Sequence, residues 1–184
     1  MKKPLNKPGR IEVICGCMFS GKTEELIRRI RRAQIAKMSV IVFKPLIDSR
    51  YSNTQIVSHN KIKIDSYCVK SSDEIINYSG DFDVFGIDEA QFFDKNILKV
   101  CKKLAEIGKR VIIAGLDKDY KGNPFGFIPQ LMCEADYLDK LRAICVQCSS
   151  SASYTKRITK EIDQVVIGES DKYEARCRNC FNNL

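Results

Sequence analysis

A single histidine, His59, in a chain of 184 residues leaves little room for imidazole chemistry. Its polar setting marks it as a surface residue rather than a base. No apolar run approaches the roughly 20 residues that a membrane-spanning helix needs. The apolar stretch Ile11–Cys17 behind the basic N-terminus is too short for a secretion signal and runs straight into glycines and a lysine. The expected compartment is therefore the cytoplasm. Internal repeats and low-complexity tracts are also lacking. What is present is an ordinary 44% hydrophobic content, enough for one domain core plus a small appendage.

Two quantities are high. The net charge of +8 favours polyanionic partners, and nucleic acid or nucleotide triphosphate tails suit it equally. Nine cysteines, an odd count without an export signal, point to metal ligation for those in spaced pairs rather than to a disulfide framework. Cys15, Cys17, Cys68, Cys101 and Cys133 stand apart from the pairs and read as small buried hydrophobes. Cys17 carries a secondary expectation of oxidant sensitivity.

Along the chain, Arg10–Cys15 alternates and is β-branched, which predicts a strand. Residues 23–36 place Leu26, Ile27, Ile30 and Ala33 at helical spacing, with Arg28, Arg29, Arg31 and Arg32 expected on a solvated face or subunit contact. Ser39–Phe43 reads as a second strand stopped by Pro45, and residues 48–67 as a hairpin-like excursion. A short helix capped by Ser71 or Ser72, a strand over Val84–Ile87, a helix over Lys95–Ile107 and a strand over Val111–Leu116 follow. Gly122, Pro124 and Gly126 break the next stretch into a loop, and a short helix over Ile128–Cys133 comes after it. This order predicts an α/β fold, a parallel sheet flanked by helices. Near Tyr137 the character changes to cysteine pairs and small polar residues, so the division expected is 1–136 and 137–184.

Gly16-Cys17-Met18-Phe19-Ser20-Gly21-Lys22-Thr23 fits G-x-x-x-x-G-K-[ST]. Glycines let the backbone curl so that successive N–H groups point at phosphate oxygens, and the helix that follows adds its positive end. Lys22 then reaches the β- and γ-phosphates of ATP, and the Thr23 hydroxyl ligates Mg²⁺. A chance match is the bland alternative, but a strand before the loop and an amphipathic helix after it are the context the motif needs.

Asp83-Val84-Phe85-Gly86-Ile87-Asp88-Glu89 delivers two carboxylates to the C-terminal end of a strand, where parallel sheets bind ligands. Asp88 is suited to the Mg²⁺ shell and Glu89 to proton abstraction from an acceptor hydroxyl. Capping of the next segment is the plainer reading of both. A water-activating glutamate would look the same, so this motif alone leaves kinase and ATPase open.

Cys145-x-x-Cys148 and Cys177-x-x-Cys180 are two knuckles separated by 28 residues. Four thiolates close a structural Zn²⁺ site, and a thioredoxin-type redox centre would need only one such pair. Zinc pins both ends of the long intervening loop.

Taken together these segments resemble the type II thymidine kinases, a small, tetrameric, zinc-containing P-loop family. The resemblance rests on Gly16–Thr23, Asp88-Glu89-Ala90-Gln91-Phe92, Gly115-Leu116-Asp117-Lys118-Asp119-Tyr120, Pro124-Phe125-Gly126, Tyr154-Thr155-Lys156-Arg157, Val166-Ile167-Gly168, Asp171-Lys172-Tyr173 and Cys177–Cys180. It implies transfer of the ATP γ-phosphate to the 5′-hydroxyl of thymidine, and of deoxyuridine, in nucleotide salvage for DNA synthesis, with Glu89 as base. It implies that Gln164, Val165, Val166, Ile167 and Gly168 lie over the base as a lasso, with Met18, Phe92, Leu116, Tyr120, Thr155 and Tyr173 lining the nucleoside pocket. Asp48, Ser49, Arg50 and Gln91 fall on the ATP side, and Arg50 offers charge to the transferring phosphoryl group. A homotetramer, dTTP as feedback inhibitor and the absence of membrane or nucleic-acid partners are implied as well. Cys17 stands where the family commonly has proline, Tyr120 where phenylalanine is usual, and Glu169 where a second lasso glycine is usual. The competing reading is a P-loop ATPase acting on nucleic acid through a zinc ribbon.

Overall fold

The computed structural model describes residues 8–46, 55–57, 63–161, 163–164, 166 and 170–183. Asp48, Ser49, Arg50, His59, Val165, Ile167, Gly168 and Glu169, for which the sequence raises expectations, lie outside the described residues.

Six strands build one sheet: β1 (Arg10–Gly16), β2 (Val40–Pro45), β5 (Tyr67–Val69), β6 (Val84–Ile87), β7 (Arg110–Leu116) and β8 (Tyr137–Leu141), in the order β5-β2-β6-β7-β1-β8. Every pairing among them is parallel. Parallel strands need crossovers, and these cover both faces, so the central strands are buried on both sides. Their residues alternate between two cores. Val13, Phe43, Phe85, Ile87, Val111 and Ile113 meet α2 (Ile97–Glu106) and α3 (Ile128–Glu134). Ile14, Val42, Val84, Ile112 and Ala114 meet Leu26, Ile27, Ile30 and Ala33 of α1 (Lys22–Ile35). Helical spacing in the sequence thus marks the buried stripe of α1 correctly.

β3 (Gln55–Val57) and β4 (Lys63–Asp65) pair antiparallel, the expected hairpin. The expected short helix is a 3₁₀ helix over Ser72–Tyr78, closed by a capping box in which Ser71 and Glu74 exchange side-chain-to-backbone bonds.

Three expectations are corrected. Arg29 is not on a solvated face: it is buried, bonding Glu12 at 2.9 Å, Glu25 at 2.8 Å and also Asp139. The carboxylates of β1, α1 and β8 recruit it inward, because burial of a cation needs charge partners. Cys133 is exposed rather than buried. The change of composition at Tyr137 does not end the sheet: Tyr137–Leu141 pairs in register with Glu12–Gly16 as the edge strand β8. Its outward side chains are exposed at an edge, which hides its strand character from composition.

The cysteine-bearing part starts behind β8. Its strands are β9 (Ala143–Ile144), β10 (Ser151–Ala152), β11 (Tyr154–Arg157) and β12 (Tyr173–Arg176), paired β9 with β10 and β11 with β12, and the short α4 (Arg178–Asn182) follows.

Candidate active site

Strands β1, β2, β6 and β7 all end at one edge of the sheet, and the chemistry collects there. After β1 the backbone turns through Gly16 (φ 146°), Phe19 (φ 64°) and Gly21 (φ 84°) before α1 begins. A Cβ on Gly16 would stand 2.4 Å from the Leu141 carbonyl oxygen, so β8 holds the loop closely and only glycine fits. Gly21 is the N-cap of α1, whose free N–H groups and positive end face the loop. Within the loop, Ser20 Oγ donates to the Cys17 carbonyl at 2.8 Å and Lys22 Nζ donates to the same oxygen at 2.7 Å. The ammonium therefore lies along the inner rim of the loop.

Thr23 Oγ1 stands 3.5 Å from Asp88 Oδ2, which brings the first residues of α1 to the tip of β6. Asp88 is 6% exposed. A hydroxyl and a buried carboxylate are the hard oxygen donors that suit Mg²⁺. Glu89, the next residue, sits at φ 52°, a left-handed conformation uncommon outside glycine. Its side chain meets that of Gln91. Gln91 Nε2 donates to Glu89 Oε2 at 2.5 Å, and Gln91 Oε1 accepts the Leu116 N–H at 2.9 Å. Gly115 makes room for this amide, since a Cβ there would come within 2.9 Å of Gln91 Oε1, and Gly126 makes room for the main chain of Gln91, since a Cβ there would stand 2.2 Å from its backbone carbonyl oxygen. Gln91 was expected beside ATP; the structure places it against the carboxylate of Glu89. Phe92 packs edge-on to Phe125 with ring centroids 5.6 Å apart.

The cysteine unit supports the phosphate loop from the other side. Cys17 is buried with Ala143, Cys145, Ala152 and Ala175, its Sγ 3.5 Å from the Ala152 carbonyl. The Met18 N–H is taken by Thr155 Oγ1 at 3.0 Å, so this donor faces β11 rather than the loop interior. Burial pushes the Cys17 thiol up, and a thiol that resists ionisation is a poor target for oxidants. The expected sensitivity of Cys17 finds no support in that setting. At the end of β7, Asp117 is buried and pairs with Lys140 at 2.7 Å and Lys118 at 3.4 Å. Lys118 lies in the Gly115–Tyr120 motif, which gives it no role by itself, and no motif spacing links Lys140 to it.

Cys145, Cys148, Cys177 and Cys180 converge, their four Sγ atoms all within 4.8 Å of one another. Cys148 and Cys177 are 3.6 Å apart. Zn–S bonds of about 2.3 Å in a tetrahedron put sulfurs ~3.8 Å apart, so the cluster fits a zinc ion. Burial pushes the Cys145 thiol up, but backbone hydrogen bonds from Cys177, Cys148 and Gln147 outweigh it and bring it to about 6. Cys145 is thereby held toward the thiolate that a metal needs, whereas hydrogen bonding with the Cys148 and Cys177 side chains pushes the Cys180 thiol up to about 12.

Tyr173 and Gln164, expected over the nucleoside, are both engaged. The Tyr173 hydroxyl donates to the Val166 carbonyl at 2.8 Å, and Gln164 Nε2 donates to Asp119 Oδ2 at 3.4 Å. Tyr120 lies against Arg157. Arg157 closes the Tyr154–Arg157 motif, which by itself assigns it no role. Strand parity was the available signal, since alternation along β11 puts Arg157 on the side of Thr155.

A parallel sheet, a glycine-bracketed loop opening a helix, and a strand-end Asp-Glu pair define a P-loop nucleotide-binding protein. The family described as thymidine kinase matches residues 9–181. The thymidine kinase of Bacteroides thetaiotaomicron is 55% identical over 173 residues, covering 94% of this chain and 87% of the relative. That of a Rhodothermus species is also 55% identical, covering 94% of this chain and 81% of the relative. Among solved structures, the genome packaging NTPase B204 of Sulfolobus turreted icosahedral virus 2 in complex with ATP-gammaS is 19% identical with a TM-score of 0.46. That match covers 86% of this chain and 79% of the other. The chain belongs to the thymidine kinase family.

Proposed function

We propose that the chain transfers the γ-phosphate of ATP to the 5′-hydroxyl of thymidine, giving dTMP and ADP, and to that of deoxyuridine, giving dUMP, in a salvage route to DNA synthesis. The observation that carries this reading is the meeting of Thr23 with Asp88 at 3.5 Å, with Glu89 next in the chain and tied to Gln91, in a chain of the thymidine kinase family.

Gly16, Phe19, Ser20, Gly21, Lys22 and Thr23 surround the phosphates, the main chain and the start of α1 supplying N–H donors and Lys22 a charge that follows the transferring group. Thr23 and Asp88 are the residues that would hold Mg²⁺, which when bound neutralises charge on the β- and γ-oxygens. Glu89 accepts the proton of the 5′-hydroxyl, and Gln91 holds that carboxylate in place. Met18, Phe92, Leu116, Tyr120, Thr155, Gln164, Val165, Val166, Ile167, Gly168 and Tyr173 make the nucleoside side, and Asp48, Ser49 and Arg50 the phosphate side. Cys145, Cys148, Cys177 and Cys180 hold a structural Zn²⁺ that fixes the unit behind the loop. The working form is a cytoplasmic homotetramer restrained by dTTP, with no membrane or nucleic-acid partner. Among the described residues no helix is long and apolar enough to cross a membrane.

The test is a screen of all nucleosides with γ-labelled ATP and Mg²⁺, without DNA. Label on thymidine and deoxyuridine is expected. Label released only as free phosphate would overturn the reading in favour of an ATPase.

A further inference from the structure

Arg157 ends β11 and is 7% exposed. Its Nη1 donates to the carbonyl oxygens of Glu161 at 3.0 Å and Asp163 at 2.5 Å. Its Nη2 donates to the Gln164 carbonyl at 3.1 Å and to the Tyr173 hydroxyl at 2.8 Å. That hydroxyl in turn donates a hydrogen bond to the Val166 carbonyl at 2.8 Å. The guanidinium carbon lies 3.6 Å from the centre of the Tyr120 ring and 5.2 Å from that of Tyr173. One side chain thus gathers, directly or through Tyr173, four main-chain carbonyls of the connection between β11 and β12.

All of these hydrogen-bond acceptors are uncharged. Burying a cation against neutral groups is a costly way to gain stability, and Arg157 Nε is buried with no hydrogen-bond partner among the described residues. What a planar fork of donors does supply is geometry: it holds several oxygens at fixed angles in one plane, which a lysine ammonium does not. The stacked Tyr120 ring fixes that plane. Tyr120 follows Asp119, which itself accepts from Gln164, so the connection is tied twice to the segment behind β7.

We propose that Arg157 is a positioning residue for nucleoside binding: it fixes the main chain of Glu161, Asp163, Gln164 and Val166 in the conformation that presents Gln164 and Val166 to the base. It acts on affinity for the nucleoside and not on ATP. This rests on the thymidine kinase reading above, in which that connection covers the nucleoside.

The experiment uses the full chain and begins with wild type. Arg157→Gln and Arg157→Lys are then compared by steady-state kinetics, with zinc content and thermal unfolding as checks on folding. The thymidine KM is expected to rise about tenfold or more in both variants while the ATP KM stays within about twofold. Little recovery is expected with lysine. An unchanged thymidine KM, a parallel rise for both substrates or full recovery with lysine overturns the proposal. Where Arg157→Gln does not fold, Tyr173→Phe decides: loss of the bridging hydroxyl raises the thymidine KM several-fold, and no change overturns it. Trypsin cleavage after Lys160, read by mass spectrometry, follows the same hold without any turnover. Faster cleavage in Arg157→Gln is expected and equal rates overturn the proposal. A wild type inactive on thymidine would defeat the thymidine reading alone, and the cleavage rates would still judge Arg157.

Discussion

Gln91 is clamped between two partners: Leu116 N–H binds its amide oxygen at 2.9 Å, which leaves the amide nitrogen facing Glu89 Oε2 at 2.5 Å. The acceptor role of Oε1 settles which way the amide points, so the donor aimed at the carboxylate is dictated by the backbone of β7. Replacing Gln91 by leucine keeps the approximate volume and removes the donor. Glu89 then loses its orientation, and kcat is expected to fall about tenfold with the ATP KM little changed. The stranded Leu116 N–H should cost about 1–3 kcal/mol of stability. Steady-state kinetics and denaturant unfolding measure the two effects separately.

Glu89→Gln tests the proposed base itself. The amide preserves shape but accepts no proton, so turnover on thymidine should drop by roughly 10²–10⁴-fold. Nucleotide binding, followed by the shift in unfolding temperature with ATP and Mg²⁺, should persist. A variant with wild-type turnover would remove Glu89 from the reaction.

The phosphate loop, the Asp88-Glu89 strand end and the paired knuckles were legible because each is a local pattern whose spacing carries its own chemistry. The central strands were legible because burial on both faces leaves continuous apolar runs, as in Val111–Leu116. β8 was not, since an edge strand buries little, and Tyr137, Leu138 and Lys140 are all exposed. Arg29 was missed because Glu12 and Asp139, which draw it inward, are brought to it by tertiary approach. Arg157 was missed for another reason: Glu161, Asp163 and Gln164 are near it in sequence, but they bind it through main-chain carbonyls, which no side-chain pattern reveals.

Removing zinc should reach beyond the cysteine unit. Cys17 packs in the same small core as Cys145, and the Met18 N–H is held by Thr155. Metal binding is folding free energy for such a unit. Cys148→Ser, or treatment with a strong chelator, is therefore expected to lower the unfolding temperature and also to weaken ATP binding, measured as a loss of the nucleotide-induced thermal shift. Loss of thermal stability with full retention of ATP affinity would separate the two units.

Acid stability provides a further test, centred on Glu12. This buried carboxylate is bonded by Arg10 at 2.7 Å, Arg110 at 2.6 Å and Arg29 at 2.9 Å. Burial raises its pKa, but the hydrogen bonds from Arg110 and Arg10 outweigh burial and take it from the ordinary 4.5 to about 2. A carboxylate depressed in the folded state stabilises fully above its unfolded value, and the contribution fades as pH falls toward the folded one. At 1.36 kcal/mol per pKa unit the term is ~3 kcal/mol, present at neutral pH and lost between about 4.5 and 2. Glu25, also lowered to about 2 chiefly by its hydrogen bond with Arg28, acts in the same window. Denaturant unfolding followed from pH 7 downward should therefore show stability falling most steeply below 4.5. Glu12→Gln should flatten that fall and, by leaving Arg29 and Arg110 without their shared carboxylate, lower stability at pH 7. An unaltered acid limb in Glu12→Gln would assign the fall to other carboxylates.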